Sequence, residues 1–83
     1  VKIPRHIKVR HRRFKRHFGK QQGRRVWVDL RRENVLQTLL HEVLHARHPK
    51  WSENHVLREE YGRWRRISDR DLVRLARLLG KIR

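Results

Sequence analysis

The feature that most restricts what this chain can fold into is a change of hydrophobic period near residue 34. Upstream of it apolar residues alternate. Ile3, Ile7 and Val9 share one side of an extended segment, with His6, Lys8 and Arg10 on the other. A second alternating run covers 25–31, where Val26, Val28 and Leu30 are expected to face inward and Trp27 and Asp29 outward. Period-two alternation puts successive side chains on opposite faces of a strand. Between the runs, "HFGKQQGRR" carries Gly19 and Gly23 around a polar turn. From Asn34 the spacing changes to that of a helix, and Val35, Leu36, Leu39, Leu40, Val43 and Leu44 form a broad apolar stripe. The expected class is α+β: a small N-terminal antiparallel β-hairpin or sheet followed by three helices.

Helix boundaries follow from capping chemistry. The first helix is expected over 34–47, opened by the pair Asn34 and Gln37 and ended before Pro49. A second begins after Ser52, a good N-cap, and runs to Arg66, with Val56, Leu57, Tyr61, Trp64 and Ile67 apolar. The third has the clearest signals. Ser68 and Asp71 form a capping box, Ile67 and Leu72 a hydrophobic staple, and Gly80 a stop. Its stripe of Leu72, Leu75, Ala76 and Leu79 indicates packing. At 83 residues the chain makes one domain: a highly basic hairpin region over 1–24, a strand and two helices over 25–66, and a packing helix over 68–80.

Charge narrows the classes of partner. The net charge is +16, eleven Lys or Arg fall in the first 28 residues, and all eight acids lie from Asp29 onward. Such a field favours polyanions, and binding of this kind weakens as salt rises. DNA or RNA contact through Arg10, Arg12, Arg13, Lys15, Arg16, Arg24 and Arg25 is the corresponding expectation, with Phe14, Phe18 or Trp27 stacking on bases. The plainer alternative is a solubilising surface. Cysteine is absent, which removes disulfides and thiolate metal sites. No run approaches the roughly 18 apolar residues that span a bilayer, and no signal-peptide core is visible, so a soluble cytoplasmic protein is expected.

The chemistry-bearing feature is His41-Glu42-Val43-Leu44-His45. Residues four apart on a helix stand one turn apart on one face, so His41 and His45 can clamp one ion. Glu42, offset by one residue, suits a general base acting on a metal-bound water. On a helical wheel the three residues and Thr38 lie on one flank of the apolar stripe. Against this stands the histidine content, seven in the chain with five Glu, which makes a chance match conceivable. A catalytic zinc site needs a third protein ligand. The tightest spacing, a His six residues beyond His45, is excluded by Trp51. The remaining candidates are His48, Glu53, His55, Glu59 and Glu60. If the second helix folds back on the first, Glu53 and Glu60 fall near the centre of its apolar face, whereas His55 and Glu59 point away. A carboxylate there is costly unless paired or bound to metal. Glu53, nearest in sequence to His45, is the preferred ligand. Glu60, nearer His41, is an alternative ligand, an acceptor for a ligand imidazole, or a partner for an arginine.

The succession "VWVDL", "LQTLLHEVLHA" and "P-x-x-S-E" resembles zincin metallopeptidases, in particular the ImmA/IrrE-like and SprT/WLM-like groups. It also resembles short phage and bacterial proteins of minimal zincin type that read like "HEALHA..P.LSEEAV". The likeness covers roughly residues 25–60. It implies a minimal zincin-like fold in which an edge strand, here Arg25–Leu30, pairs with an extended peptide substrate. It also brings in DNA-associated proteases among the possible relatives. Trp51 departs from the WLM-like pattern, and no second subdomain is present to wall a cleft. Combined, these observations lead to a zinc-dependent peptidase acting on a peptide or protein substrate. One Zn(II) would be held by His41, His45 and Glu53, with Glu42 as base and Tyr61 or an Arg stabilising the oxyanion. The rival expectation is a basic nucleic-acid-binding module whose metal site is structural or non-catalytic.

Overall fold

A computed structural model describes residues 2–82. Three strands, β1 (Lys8–His11), β2 (Gly19–Gln22) and β3 (Arg25–Val28), precede three helices, α1 (Val35–Arg47), α2 (Glu53–Arg65) and α3 (Asp69–Leu79). The α+β class and the order of sheet and helices agree with the sequence. The sheet differs in one respect. Its order is β1-β3-β2, and only the β2–β3 pair is antiparallel; β1 joins the other edge of β3 in parallel. Alternation fixes which side chains share a face but carries no information about strand direction. β2 also lies inside the stretch expected to be a turn, because its inward positions are Gly19 and Gln21 and give no apolar pattern. The turn proper is Gly23-Arg24, where Gly23 adopts a left-handed φ of 58°, as a two-residue hairpin connection demands.

One face of this sheet carries the core. Val9, Val26 and Val28 meet Leu39, Leu40, Val43 and Leu44 of α1, Val56 of α2, and Leu75 and Leu78 of α3. Trp51, Trp64 and Ile67 pack around the margin. The α1 stripe is therefore buried as its spacing implied. On α3 the buried line is Leu75 and Leu78 rather than one through Ala76, which is exposed. Leu57, expected on the inward face of α2, is exposed, as is Tyr61 from its apolar positions, because α2 meets α1 along a narrower strip through Val56.

The caps are mixed. Ser52 accepts from the His55 N–H and Ser68 from the Asp71 N–H, each at 3.1 Å. Asn34 does not cap with its side chain; it takes a left-handed conformation with φ 57°, which asparagine tolerates, and turns the chain into α1. Gln37 is thereby released from any capping role. Gly80 ends α3 in a right-handed conformation rather than the left-handed one typical of such a stop.

The largest departure from the alternating pattern is Asp29. It follows β3 where an outward residue was expected, yet it is buried, with 1% of its surface exposed. Its carboxylate accepts from the Phe14 N–H at 3.1 Å, the Arg31 N–H at 3.0 Å and the Arg31 guanidinium at 2.9 and 3.0 Å. Arg32 approaches it at 3.6 Å and donates to the Phe14 carbonyl at 2.7 Å. Asp29 thus ties the β1–β2 connection to the start of the helical half. The chain leaves the strand at this point, so Leu30 loses its inward place and is exposed.

The Arg31 hydrogen bond, with those from the Phe14 and Arg31 backbone, holds the Asp29 carboxyl well below the usual carboxylate range. A depressed value of this kind stabilises the fold above the unfolded-chain pKa of about 3.9 and is lost as pH falls through the folded value. Asp29→Asn is expected to lower stability near neutral pH in urea unfolding. The gap from the native protein should narrow on acidification below about pH 4. A gap that stayed constant down to strong acid would show that the charge is not what matters.

Candidate metal centre

α1 presents its apolar stripe to the core, so its neighbouring flank, with His41, Glu42 and His45, is carried to the edge of the packed interior. Potential ligand atoms of these three residues lie within 4.8 Å of one another. Their environments differ. The imidazoles of His41 and His45 are 15% and 20% exposed, reachable but shielded. Glu42 is buried, and its Oε2 has no hydrogen-bond partner.

α2 closes the arrangement. The Nε2 atoms of His41 and His45 are 3.2 Å apart. The two oxygens of Glu53 each reach one of them, Oε1 to His41 and Oε2 to His45, both at 2.8 Å. Three donors from two helices therefore converge on a common point. Around a tetrahedral zinc ion with ligand distances near 2.0–2.1 Å, donor atoms stand about 3.3 Å apart, so the observed spacings suit such an ion. Glu53 is brought there by the short turn after α1, in which Trp51 stacks between His48 and His55 at ring separations of 3.7 and 4.2 Å. Trp51, His48 and His55 therefore shape the connection and are not among the converging donors.

Glu60, seven residues beyond Glu53, reaches the far side of the first imidazole. Its Oε1 contacts His41 Nδ1 at 2.5 Å and its Oε2 accepts from the Gln37 amide at 2.8 Å. With Nδ1–H donated to Glu60, the Nε2 lone pair of His41 points toward His45 and Glu53 and is available to a cation. Of the roles open to Glu60, the one seen is contact with the His41 imidazole, and among the described residues no arginine pairs with it. Gln37, expected to cap α1, instead donates to Glu60 and completes this outer layer.

Charge in the site is unevenly held. For Glu42, burial dominates and raises the carboxyl to about 7; His41 opposes the rise while Glu53 and Glu60 add to it. For His41, burial favours the neutral ring, but the Glu60 hydrogen bond and the charges of Glu42, Glu53 and Glu60 outweigh it and the net shift is upward. Three carboxylates around two imidazoles make a locus of negative potential inside a chain of net charge +16. A cation is the kind of group that such a cluster could hold.

The site opens into a cleft of about 1090 Å³ whose opposite wall is Arg16, His17, Phe18, Gly19, Lys20 and Gln21. The strand in this wall is β2, at the sheet edge, and not β3, which is paired on both sides. The strand that could accept an extended peptide is therefore Gly19–Gln22, a correction to the expectation for Arg25–Leu30. Antiparallel pairing lets alternate residues bond to β3. The Asp29 N–H donates to the Phe18 carbonyl at 3.0 Å, so the backbone groups of Phe18, Lys20 and Gln22 point to β3 and those of Gly19 and Gln21 face the free edge. Gly19 is required by proximity. A Cβ there would meet Thr38 Cγ2 at 2.9 Å, the Trp27 carbonyl at 3.0 Å and Glu42 Cγ at 3.1 Å. In the sequence the two glycines bracketing "GKQQG" are the signal for this strand, and they read equally as a turn.

Tyr61 is not part of the cleft. It is 62% exposed, and Arg65 lies over its ring at 5.5 Å. Of the seven basic residues expected to contact nucleic acid, Arg16 lines the cleft and Arg12 and Arg13 lie with Lys15 in the β1–β2 connection. Arg24 sits in the hairpin turn, and Arg10 and Arg25 are on the sheet. No family model, curated protein or solved structure matches the chain.

Zinc titration in a competition assay with a chromophoric chelator tests the ligand set. His45→Ala is expected to abolish tight binding. Glu60→Gln should retain the ion but weaken it by about 10–100-fold, the usual effect of removing an acceptor behind a ligand imidazole. Unchanged affinity in His45→Ala would refute the assignment.

Proposed function

We propose that the protein is a zinc-dependent metallopeptidase. The observation that carries the proposal is the convergence of His41 Nε2, His45 Nε2 and the Glu53 carboxylate beside a buried Glu42 whose Oε2 has no hydrogen-bond partner. Carboxylate and imidazole donors of this kind fit Zn(II), and three protein ligands leave one position open, the arrangement of catalytic rather than structural sites. When bound, the ion supplies Lewis-acid polarisation of a carbonyl and a more acidic water.

The chain's own residues account for the remaining roles. Glu42, with an unpartnered Oε2 and a carboxyl pushed up to about 7, is suited to accept a proton from the attacking water. It then returns that proton to the leaving amine. Burial in a site shared with two other carboxylates is what brings its proton affinity close to working pH. Glu60 and Gln37 keep the His41 ring in one orientation. The backbone groups of Gly19 and Gln21 can pair with an extended peptide, and the exposed side chains of Phe18 and Leu57 border the cleft as apolar surfaces for its side chains. In this reading the substrate is a peptide or protein and the compartment is the cytoplasm. Among the described residues no helix is long and apolar enough to cross a membrane.

The test is hydrolysis of a quenched-fluorescent peptide library by zinc-loaded protein, followed by mass spectrometry of the products. Glu42→Gln should bind zinc as the native protein does and lose turnover by at least about 10²-fold, within the range for removal of a general base. Zinc-loaded native protein that cleaves nothing in the library, or a Glu42→Gln variant with full activity, would overturn the proposal.

A further inference from the structure

The helices cover one face of the sheet; the other face is open. The register places six side chains there in two rows. Arg10, Trp27 and Lys20 are cross-strand neighbours, and Lys8, Arg25 and Gln22 form the row beside them. All but Trp27 are exposed or nearly so, and Trp27 is half-buried in the central strand. A shallow recess of about 230 Å³ lies among Lys8, Arg10, Arg25 and Trp27.

This composition is costly for a sheet in isolation. Like charges on directly paired positions repel, and Lys8 faces Arg25 across the β1–β3 pair. Among the described residues no carboxylate makes an ion pair with Lys8, Arg10, Lys20 or Arg25; the ion pairs of the molecule lie elsewhere, around Asp29, the metal centre and the helices. The eight acids of the chain all lie from Asp29 onward, beyond the strands. Four uncompensated cations therefore surround one aromatic ring on an uncovered surface. Nothing in the core or in the metal centre calls for them.

Two properties identify the occupant. Cations spaced by the strand separation of about 4.8 Å match a chain of closely spaced negative charges. A single indole at their centre matches a flat π-face presented next to those charges. Phosphodiesters with unpaired bases have both; an acidic polypeptide has the first alone, and in duplex DNA the base faces are already stacked. We infer that the open sheet face formed by Lys8, Arg10, Lys20, Arg25 and Trp27 binds a single-stranded nucleic acid, one base stacking on Trp27 while flanking phosphates contact the four cations. The contacts read base faces and phosphates, not the sugar, so DNA and RNA strands serve alike. The inference does not rest on the proposed peptidase activity, since its side chains stand on the opposite face of the sheet and include none of the metal-centre residues; Lys20 alone also borders the cleft. It also differs from the charge-based expectation: Lys8 and Lys20 enter the site, and Arg12, Arg13, Lys15, Arg16 and Arg24 do not.

Fluorescence anisotropy with labelled dT and U oligonucleotides of equal length tests it, using the full chain. Trp27→Ala should weaken binding about tenfold or more and Trp27→Phe should largely restore it, as expected for loss and recovery of one stacked base. Because Trp27 is half-buried, a second comparison avoids dependence on its packing. The exposed pair Lys8→Gln/Lys20→Gln is set against Lys50→Gln/Lys81→Gln, which makes the same change in net charge on the helical side. The first pair should reduce the slope of log affinity against log salt by about 1.4, from the roughly 0.7 expected per phosphate contact on a single strand. The second pair should leave the slope almost unchanged, and thermal melts should show all four variants folded. Equal effects of the two pairs, binding of poly-glutamate or duplex as tight as that of the single strand, or a tenfold preference for one sugar would each overturn the inference.

Discussion

The burial of α1 is the constraint on which the rest of the molecule depends. Leu39, Leu40, Val43 and Leu44 are essentially inaccessible and meet the sheet and both other helices. Helical periodicity then leaves the adjacent flank no freedom. His41, Glu42 and His45 must stand at the border of the core, with Glu42 slightly inside it and the imidazoles slightly outside. Their different exposure, and hence the upward shift of Glu42, follows from a rotation of about 100° per residue along a helix whose stripe is fixed by packing. The placement of the two imidazoles with Glu42 and the burial of the core are two readings of one helical phase.

Long-period features were legible in the sequence. The α1 stripe, the serine caps of α2 and α3, and the histidine pair depend on spacing within one element, and each appears where the residues indicate. Glu53 was also accessible to sequence reasoning, because a short turn leaves few ways to place the start of α2 against the end of α1. Features that depend on contact between distant elements were not legible. Nothing in "GKQQG" announces an edge strand, since its inward positions are a glycine pressed against α1 and a glutamine at a cleft. The parallel alignment of β1 with β3 is decided by the path of the 12–18 connection, which Asp29 and Arg32 hold in place. Asp29 itself looked like an outward residue. Its burial is tolerated because several donors converge on it from two parts of the chain, a coincidence invisible to alternation.

The sheet also separates two electrostatic environments with only one layer of backbone between them. On the helical side, carboxylates gather around the imidazoles within a cleft. On the open side, cations surround Trp27 with no acid among them. The high net charge of the chain is thus not a uniform coating. It is sorted by the pleat, alternate positions of the same strands facing the core or the cationic open face. β2 takes part in both, with Gly19 and Gln21 toward the cleft and Lys20 and Gln22 toward solvent.

Glu53 differs from the other two donors in one way that bears on exchange. Its side chain is 61% exposed, against 15% and 20% for the histidines. The imidazoles stand on a helix fixed by the core, and His41 is further restrained by Glu60; the carboxylate stands in the first turn of α2 and can change rotamer without disturbing any packed residue. An ion held at this site would therefore be released through a hinged arm while its other two anchors stayed in place. Exchange would follow side-chain motion, and the fold would not need to open.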